Sequence, residues 1–355
     1  MNPIIALNYT LFFNAEAYIK LNTFIADNSV SKIYILSDTN TQKWCLPKFK
    51  EHLKTDKEVE YLVISTGEKN KTIAQSTLLW QKLCDLNADR FSLLINLGGG
   101  IVTDLGGFVA ATLKRGIRFI NIPTTLLGMV DAAIGGKTGV NLGVLKNQVG
   151  CFANPNMLII DTSYLDTLPE RELKSGMAEI IKYGLSYDAL LYDKIKKATS
   201  FKDALLESLI YKSAAIKNEV VLKDPKEKSL RKVLNFGHSL GHAIESYFLE
   251  AKNKSHLTHG ESVAIGMVTA LFLSHKYFDF DINEARSIKH FIKSYFGKSL
   301  IDKSEYPAIL NLLKHDKKAH AGEVKFILIE GIGQYKLDCK VSDNSLIEAL
   351  DFYNS

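Results

Sequence analysis

The stretch Phe91-Ser92-Leu93-Leu94-Ile95-Asn96-Leu97 is mainly apolar on consecutive positions and stops at Gly98-Gly99-Gly100. A strand with one wet face alternates apolar and polar side chains. A consecutive run belongs instead in a parallel sheet covered on both faces. Shorter runs of this kind occur at Lys32-Ile33-Tyr34-Ile35-Leu36, Tyr61-Leu62-Val63-Ile64 and Phe119-Ile120-Asn121-Ile122, the last closed by Pro123. Thr72 to Leu86 has helical spacing. Strands separated by helices predict an α/β N-terminal domain with a mostly parallel sheet. From Pro169 onward the apolar residues recur mostly at helical spacing, over Met177 to Leu185, Ala204 to Val221, Ser239 to Phe248 and Ser262 to His275. Only Val324-Lys325-Phe326-Ile327-Leu328-Ile329 looks strand-like late in the chain. The expected architecture is an α/β domain over residues 1–168, then a mostly α-helical domain over 169–355, with the active site in the cleft between them.

Composition narrows the function. A chain of 355 residues holds one large domain or two of ordinary size. The formal net charge of +5 is spread along the sequence without a dense basic block, so nucleic acid is not an expected partner. Scattered lysines suit a small sugar phosphate. No apolar run reaches membrane-spanning length, and no secretory signal is read at Met1 to Lys20. Cys45, Cys84, Cys151 and Cys339 are far apart and form no CxxC, which points to free thiols in a cytoplasmic protein.

The turn Gly98-Gly99-Gly100-Ile101-Val102-Thr103-Asp104-Leu105-Gly106-Gly107-Phe108 follows a buried strand and opens a helix. Such glycines serve either a phosphate, approached by backbone N–H groups at a helix N-terminus, or close strand–helix packing. The spacing is not the dinucleotide GxGxxG fingerprint. Asp38, at the end of an early strand, is a ribose ligand or a helix N-cap. Thr66-Gly67-Glu68-Lys69-Asn70-Lys71 is a polar turn after a strand, which alone reads as a surface turn and otherwise as one that closes over an adenosine.

Glu179 stands among apolar neighbours, so its charge needs a partner, and Lys182 lies one turn on. His238 and His242 share a helix face at i and i+4, and His259 follows in Thr258-His259-Gly260-Glu261. Each histidine alone reads as a core or cap residue. One carboxylate with two neutral imidazoles and an open position describes a catalytic Zn²⁺ site. Lys137, Lys146 and Asn147 are donors on what should be short loops, and Arg115 sits between the Gly-rich helix and the next strand. One helix is expected to present Arg231, Asn235 and His238 to one site, with Lys217 on the preceding helix.

Taken together, GGGIVTDLGGF, RGIRFINIPTTLLGMVDAAIGGKTGVN, LKNQVGCFANP, LPERELKSGMAEIIKYG, LRKVLNFGHSLGHAIE, HGESVAIGM and DKK resemble the 3-dehydroquinate synthase family in order and spacing, from Asp38 to about Lys318. Ala132-Ala133 and Ser229 depart from the family pattern without removing a proposed ligand. The resemblance implies NAD, one divalent metal (Zn²⁺, with Co²⁺ as the alternative) and a homodimer. It implies Glu179, His238 and His259 as metal ligands. Asp38, Asn40, Glu68, Lys71, Gly99, Gly100, Asp104, Thr124, Thr125, Lys137, Lys146 and Thr167 would contact NAD. Arg115, Asp131, Lys137, Asn147, Lys182, Lys217, Arg231, Asn235, His242 and Lys317 or Lys318 would surround the substrate, with His242 moving a proton at its C5 hydroxyl.

The implied reaction converts 3-deoxy-D-arabino-heptulosonate 7-phosphate to 3-dehydroquinate and phosphate, in the shikimate pathway. It proceeds by transient oxidation at C5, phosphate elimination, re-reduction and intramolecular aldol closure. Three rivals remain at this stage. They are a cyclase acting on sedoheptulose 7-phosphate or glucose 6-phosphate, a metal-dependent polyol dehydrogenase, and an inactive NAD-binding module.

Overall fold

The computed structural model describes residues 1–143, 145–198, 200–201, 203–251, 254–316 and 324–355. The chain divides into two compact units, one of Met1–Pro169 with Ile210–Leu222 and one of Glu170–Leu209 with Lys223–Ser355.

The first unit is built on a seven-stranded sheet. Its strands are β1 (Ile4–Ile5), β2 (Thr10–Phe13), β3 (Ile33–Asp38), β4 (Val59–Ile64), β5 (Leu93–Gly98), β6 (Arg118–Pro123) and, after the hairpin of β7 (Lys137–Leu142) and β8 (Leu145–Phe152), β9 (Met157–Ile160). The sheet order is β1-β2-β9-β6-β5-β3-β4, parallel throughout except for the β1–β2 pair. Every residue of β5 and β9 is buried, which is why these strands carry consecutive apolar residues. Helices α1 (Asn14–Asp27), α2 (Thr39–Trp44), α3 (Leu46–His52), α4 (Ile73–Asp85) and α5 (Gly100–Thr112) complete the α/β unit. At Gly106 of α5 a Cβ would fall 1.9 Å from Asn96 Oδ1 on β5, so this glycine is set by close helix–strand approach. Asn96 in turn donates to Asn121 Oδ1 of β6 at 2.8 Å, pairing two buried amides across the sheet.

The second unit is mostly helical: α6 (Glu170–Ser186), α7 (Ala189–Lys196), the first turns of α8 (Asp203–Lys223), α9 (His238–Glu250), α10 (His259–Phe278), α11 (Ile282–Phe296), α12 (Tyr306–Asp316) and α13 (Asp343–Asn354). Helix α10 is buried over most of its length and packs against α6, α9, α11 and α13. An antiparallel hairpin of β10 (Lys325–Gly331) and β11 (Gln334–Lys340) completes it. Among the described residues no helix is long and apolar enough to cross a membrane.

Three sequence expectations need correction. Lys137, Lys146 and Asn147 lie on the β7–β8 hairpin, not on short loops. The late strand has a partner, β11, that sequence reading missed. The segment Ile210–Leu222, assigned above to the helical domain, belongs with the α/β unit. There Tyr211 packs on Phe13 with ring centroids 5.2 Å apart, and Asn218 Nδ2 donates to the Ile5 carbonyl at 2.9 Å.

Candidate active site

Three helices of the second unit converge on one buried carboxylate. Glu179 sits in α6 within Ser175–Ser186, a stretch buried at every position. Helix α9 opens at His238 because Gly237 takes a left-handed φ of 77°. A Cβ at Gly237 would also lie 2.7 Å from Met267 Cγ, so only glycine makes this start. Helix α10 opens at His259 behind a capping box of Thr258 and Glu261. The next residue, Gly260, lets α10 touch α6: a Cβ there would lie 2.1 Å from the Ser175 carbonyl oxygen. Its own N–H donates to Ser175 Oγ at 2.9 Å. Arg171, from the first turn of α6, braces the same junction by donating to both oxygens of Glu261 at 2.8 and 2.7 Å.

The result is a donor set. Glu179 Oε1 lies 3.4 Å from His238 Nε2 and 3.3 Å from His259 Nε2, yet it is buried and accepts no hydrogen bond among the described residues. Tetrahedral Zn²⁺ with bonds of about 2.0–2.1 Å spaces its ligand atoms about 3.3–3.4 Å apart. The gap therefore has the edge length of such a site. His238 Nδ1 faces the Phe236 carbonyl at 3.1 Å and His259 Nδ1 faces Glu245 Oε2 at 3.3 Å. Each imidazole thus has its second nitrogen engaged, which orients Nε2 toward the carboxylate. The His242 ring lies 5.2 Å from that of His238 and 5.6 Å from that of His259, and the three histidines bring ligand atoms within 4.8 Å of one another.

Electrostatics favour a cation here. Burial alone would raise the Glu179 carboxyl, but the Lys182 ammonium on its Oε2 and the neighbouring imidazoles hold it well below the usual carboxylate range. Burial lowers His238 despite the pull of Glu179. Burial would also lower His259, but Glu245 and Glu179 overcome it and lift it to about 10. A divalent ion would compete with that proton for the His259 lone pair.

The first unit gathers a second polar cluster. Helix α5 begins with Gly99 as N-cap and no side-chain cap, leaving first-turn N–H groups without a capping side chain. Lys71 Nζ pairs with Asp104 Oδ2 at 2.7 Å, while burial holds the Asp104 carboxyl above its usual range in spite of that lysine. Asp131 sits in a π-helical turn, Gly128–Ala132, and its Oδ1 receives Lys217 Nζ at 2.6 Å. Glu68 Oε1 accepts from Asn141 Nδ2 at 2.8 Å.

Residues 61–175 match the family model "3-dehydroquinate synthase N-terminal" and residues 176–319 match "3-dehydroquinate synthase C-terminal". The chain belongs to the 3-dehydroquinate synthase family. A 3-dehydroquinate synthase of Parabacteroides distasonis is 40% identical over 337 residues, 94% of each chain. One of Dictyoglomus thermophilum is 39% identical over 321 residues, 89% of each chain. Among solved structures, 2-epi-5-epi-valiolone synthase from Streptomyces hygroscopicus with NAD⁺ and Zn²⁺ bound superposes at TM-score 0.85 and 23% identity, covering 99% of this chain and 98% of that one. A 2-deoxy-scyllo-inosose synthase complexed with carbaglucose-6-phosphate, NAD⁺ and Co²⁺ gives 0.83 at 24%, covering 98% and 99%. At these identities the superpositions speak for the fold.

Within this synthase-family chain the remaining predicted residues are placed as follows. Asp38 caps α2, accepting from the N–H groups of Asn40 and Thr41 at 2.9 and 2.8 Å, so the capping alternative is realised. Gly99 and Gly100 open α5, Thr124 is buried just after β6, and Thr125 Oγ1 accepts from Gly128 N at 3.1 Å. Thr167 Oγ1 donates to the Tyr164 carbonyl at 3.4 Å. Arg115 has a left-handed φ of 67° and is exposed, as are Lys137 and Asn147. Arg231 is buried, donating from Nη1 to the Pro225 carbonyl at 2.7 Å, and Asn235 donates to Glu227 Oε1 at 2.6 Å. These two lie on a 3₁₀ turn, Leu230–Asn235, separated from His238 by the Gly237 break; the single helix expected for all three is therefore two elements. Lys182 contacts Glu179 Oε2. Lys317 and Lys318 lie outside the described residues. Sequence reasoning missed Glu245, although His238, His242 and Glu245 recur at i, i+4 and i+7 on one helix face.

Proposed function

We propose that this chain converts 3-deoxy-D-arabino-heptulosonate 7-phosphate to 3-dehydroquinate and phosphate as an NAD- and metal-dependent carbon–oxygen lyase. The observation that carries the reading is the buried, unbonded Glu179 Oε1 standing 3.3–3.4 Å from two oriented imidazole nitrogens in a chain of this family. Glu179, His238 and His259 would hold one divalent ion, Zn²⁺ first and Co²⁺ as the alternative; His242, whose ring lies 5.2 Å from that of His238, would serve proton transfer. A bound divalent ion supplies Lewis acidity toward the substrate hydroxyls. NAD, when bound, supplies a reversible hydride acceptor for C5.

The chain's own residues supply orientation and charge. The open first turn of α5, with Lys71 on Asp104 and Thr125 against Gly99, suits a dinucleotide pyrophosphate and its sugars, and Glu68, Thr124 and Lys146 would join it. Asp38, Asn40 and Thr167 complete that set in the proposal. His242 moves the proton at the C5 hydroxyl. Lys137, Asn147 and Arg115, with Lys317 or Lys318, hold the phosphate. Arg231, Asn235 and Lys217 take the carboxylate end and the hydroxyls, Asp131 positioning Lys217. Lys182 keeps Glu179 ionised and so serves the metal set before any substrate contact. A homodimer in the cytoplasm belongs to the same proposal.

The fold alone does not choose among cyclases, because the two superposed synthases named above share it. The proposed carboxylate donors favour the carboxylated substrate. Replacing Arg231 by Met should lower kcat/KM for the heptulosonate phosphate about tenfold to a few hundredfold, from a charge-assisted bond of about 1.5–3 kcal/mol. Wild type should turn over that substrate and not sedoheptulose 7-phosphate. Equal or better cyclisation of sedoheptulose 7-phosphate would replace this assignment with the other cyclase.

A further inference from the structure

Asn141, near the end of β7, is buried, and it reaches three of the residues assigned above to NAD or substrate. Its Nδ2 donates to Glu68 Oε1 at 2.8 Å. Its Oδ1 accepts the N–H of Asn147 at 2.9 Å, a residue held at a left-handed φ of 54°. Its backbone N–H donates to the Lys71 carbonyl at 2.8 Å, just before α4 begins. Lys71 then pairs with Asp104 on α5. One amide thus satisfies a carboxylate on one side and a strained backbone N–H on the other. Only a carboxamide offers both a donor and an acceptor at that size. Aspartate has no donor for Glu68, and serine is too short to span both partners.

We propose that Asn141 is a positioning residue that fixes Glu68 and Asn147 together, coupling the NAD-binding turn to the phosphate-binding hairpin. The inference rests on the assignment of Glu68 to NAD and of Asn147 to substrate. Glu68 is anchored through a charge-assisted bond, and such bonds are among the stronger side-chain contacts. Without it, the bonds left to the turn Glu68–Asn70 among the described residues are local backbone bonds and those of the Asn70 side chain to the Ser65 and Thr66 carbonyls.

The test is a double-mutant cycle read by calorimetric NAD⁺ binding to the metal-loaded protein. Asn141→Asp places two carboxylates together and should weaken NAD⁺ about ten- to a hundredfold. Glu68→Gln alone should weaken it less. The double variant restores a donor–acceptor pair with reversed polarity, and should bind NAD⁺ at least about fivefold tighter than Asn141→Asp. A double variant whose loss is the product of the two single losses would overturn the proposal. Should Asn141→Asp not fold, Asn141→Ser gives the second reading: it loses both side-chain bonds, and should raise both the NAD⁺ Kd and the KM for the sugar phosphate. Unchanged values in a folded Asn141→Ser protein would also overturn it. Wild-type protein that binds no NAD⁺ would instead overturn the assignment of the α5 cluster, a separate result.

Discussion

Gly260→Ala tests how the proposed metal set is assembled. The added Cβ would sit 2.1 Å from the Ser175 carbonyl oxygen, 2.5 Å from its Cα and 2.6 Å from its carbonyl carbon. All three are backbone atoms of α6, so no rotamer change relieves the clash. Ordinary contact starts near 3.4 Å, and the two helices must part locally by about 1.3 Å. Ser175 lies one turn before Glu179 and Gly260 directly follows His259, so the displacement lands on the pair now 3.3 Å apart. Metal sites hold ligand distances to within about 0.2 Å. Overpacking should cost about 1–3 kcal/mol of stability, against which the better helix propensity of alanine returns at most about 1 kcal/mol. Zn²⁺ affinity should fall at least about a hundredfold, beyond what altered outer partners alone produce. The assay is Zn²⁺ competition with a chromophoric chelator, with thermal unfolding alongside. Gly331→Ala in β10 is the control, since its Cβ would meet only the Gln334 side chain at an ordinary 3.4 Å. A Gly260→Ala protein that binds Zn²⁺ as tightly as wild type would refute the reasoning.

Glu245→Gln should lower Zn²⁺ affinity about ten- to a hundredfold while the protein stays folded, because it removes the charge that orients His259; the same chelator competition reads it. A pH effect follows from Glu305, which accepts from Lys254 Nζ at 2.5 Å, Tyr247 Oη at 3.0 Å and Asp302 N at 2.7 Å. Burial opposes ionisation, but these donors prevail and hold the carboxyl below its usual range. Its contribution is therefore complete above the unfolded value of about 4.3 and is lost as pH falls through the lower folded value. Urea midpoints from pH 7 to about 3.5 should show wild type losing its advantage over Glu305→Gln at the acid end; a constant difference would contradict this.

Much of this was legible in the sequence for identifiable reasons. The buried strands β3, β5 and β6 are covered on both faces, so their apolar runs are continuous and stand out. Glu179 shows because a carboxylate in a wholly buried helix stretch has no route to water. The β7–β8 hairpin does not show, because its glycines belong to the strands themselves: a Cβ at Gly150 would lie 2.2 Å from the Thr138 carbonyl. Glycine there reads as loop although it marks close backbone approach. The helical pattern of α8 is plain, but what it packs on is a long-range matter settled by Phe13, Ile5 and Asp131. The break before His238 turns on one left-handed glycine, and a glycine inside helical spacing carries no mark of its φ. Glu245 was visible in its spacing, yet its purpose depends on His259 arriving from another helix.

The central claim is that NAD is used and restored within one turnover of a carboxylated sugar phosphate. The direct measurement follows phosphate release and NADH absorbance together, with purified protein, Zn²⁺, NAD⁺ and 3-deoxy-D-arabino-heptulosonate 7-phosphate. Many equivalents of phosphate per protein are expected, with no matching growth of NADH. Stoichiometric NADH from a simple alcohol, with no phosphate released from the heptulosonate phosphate, would contradict it and indicate a polyol dehydrogenase.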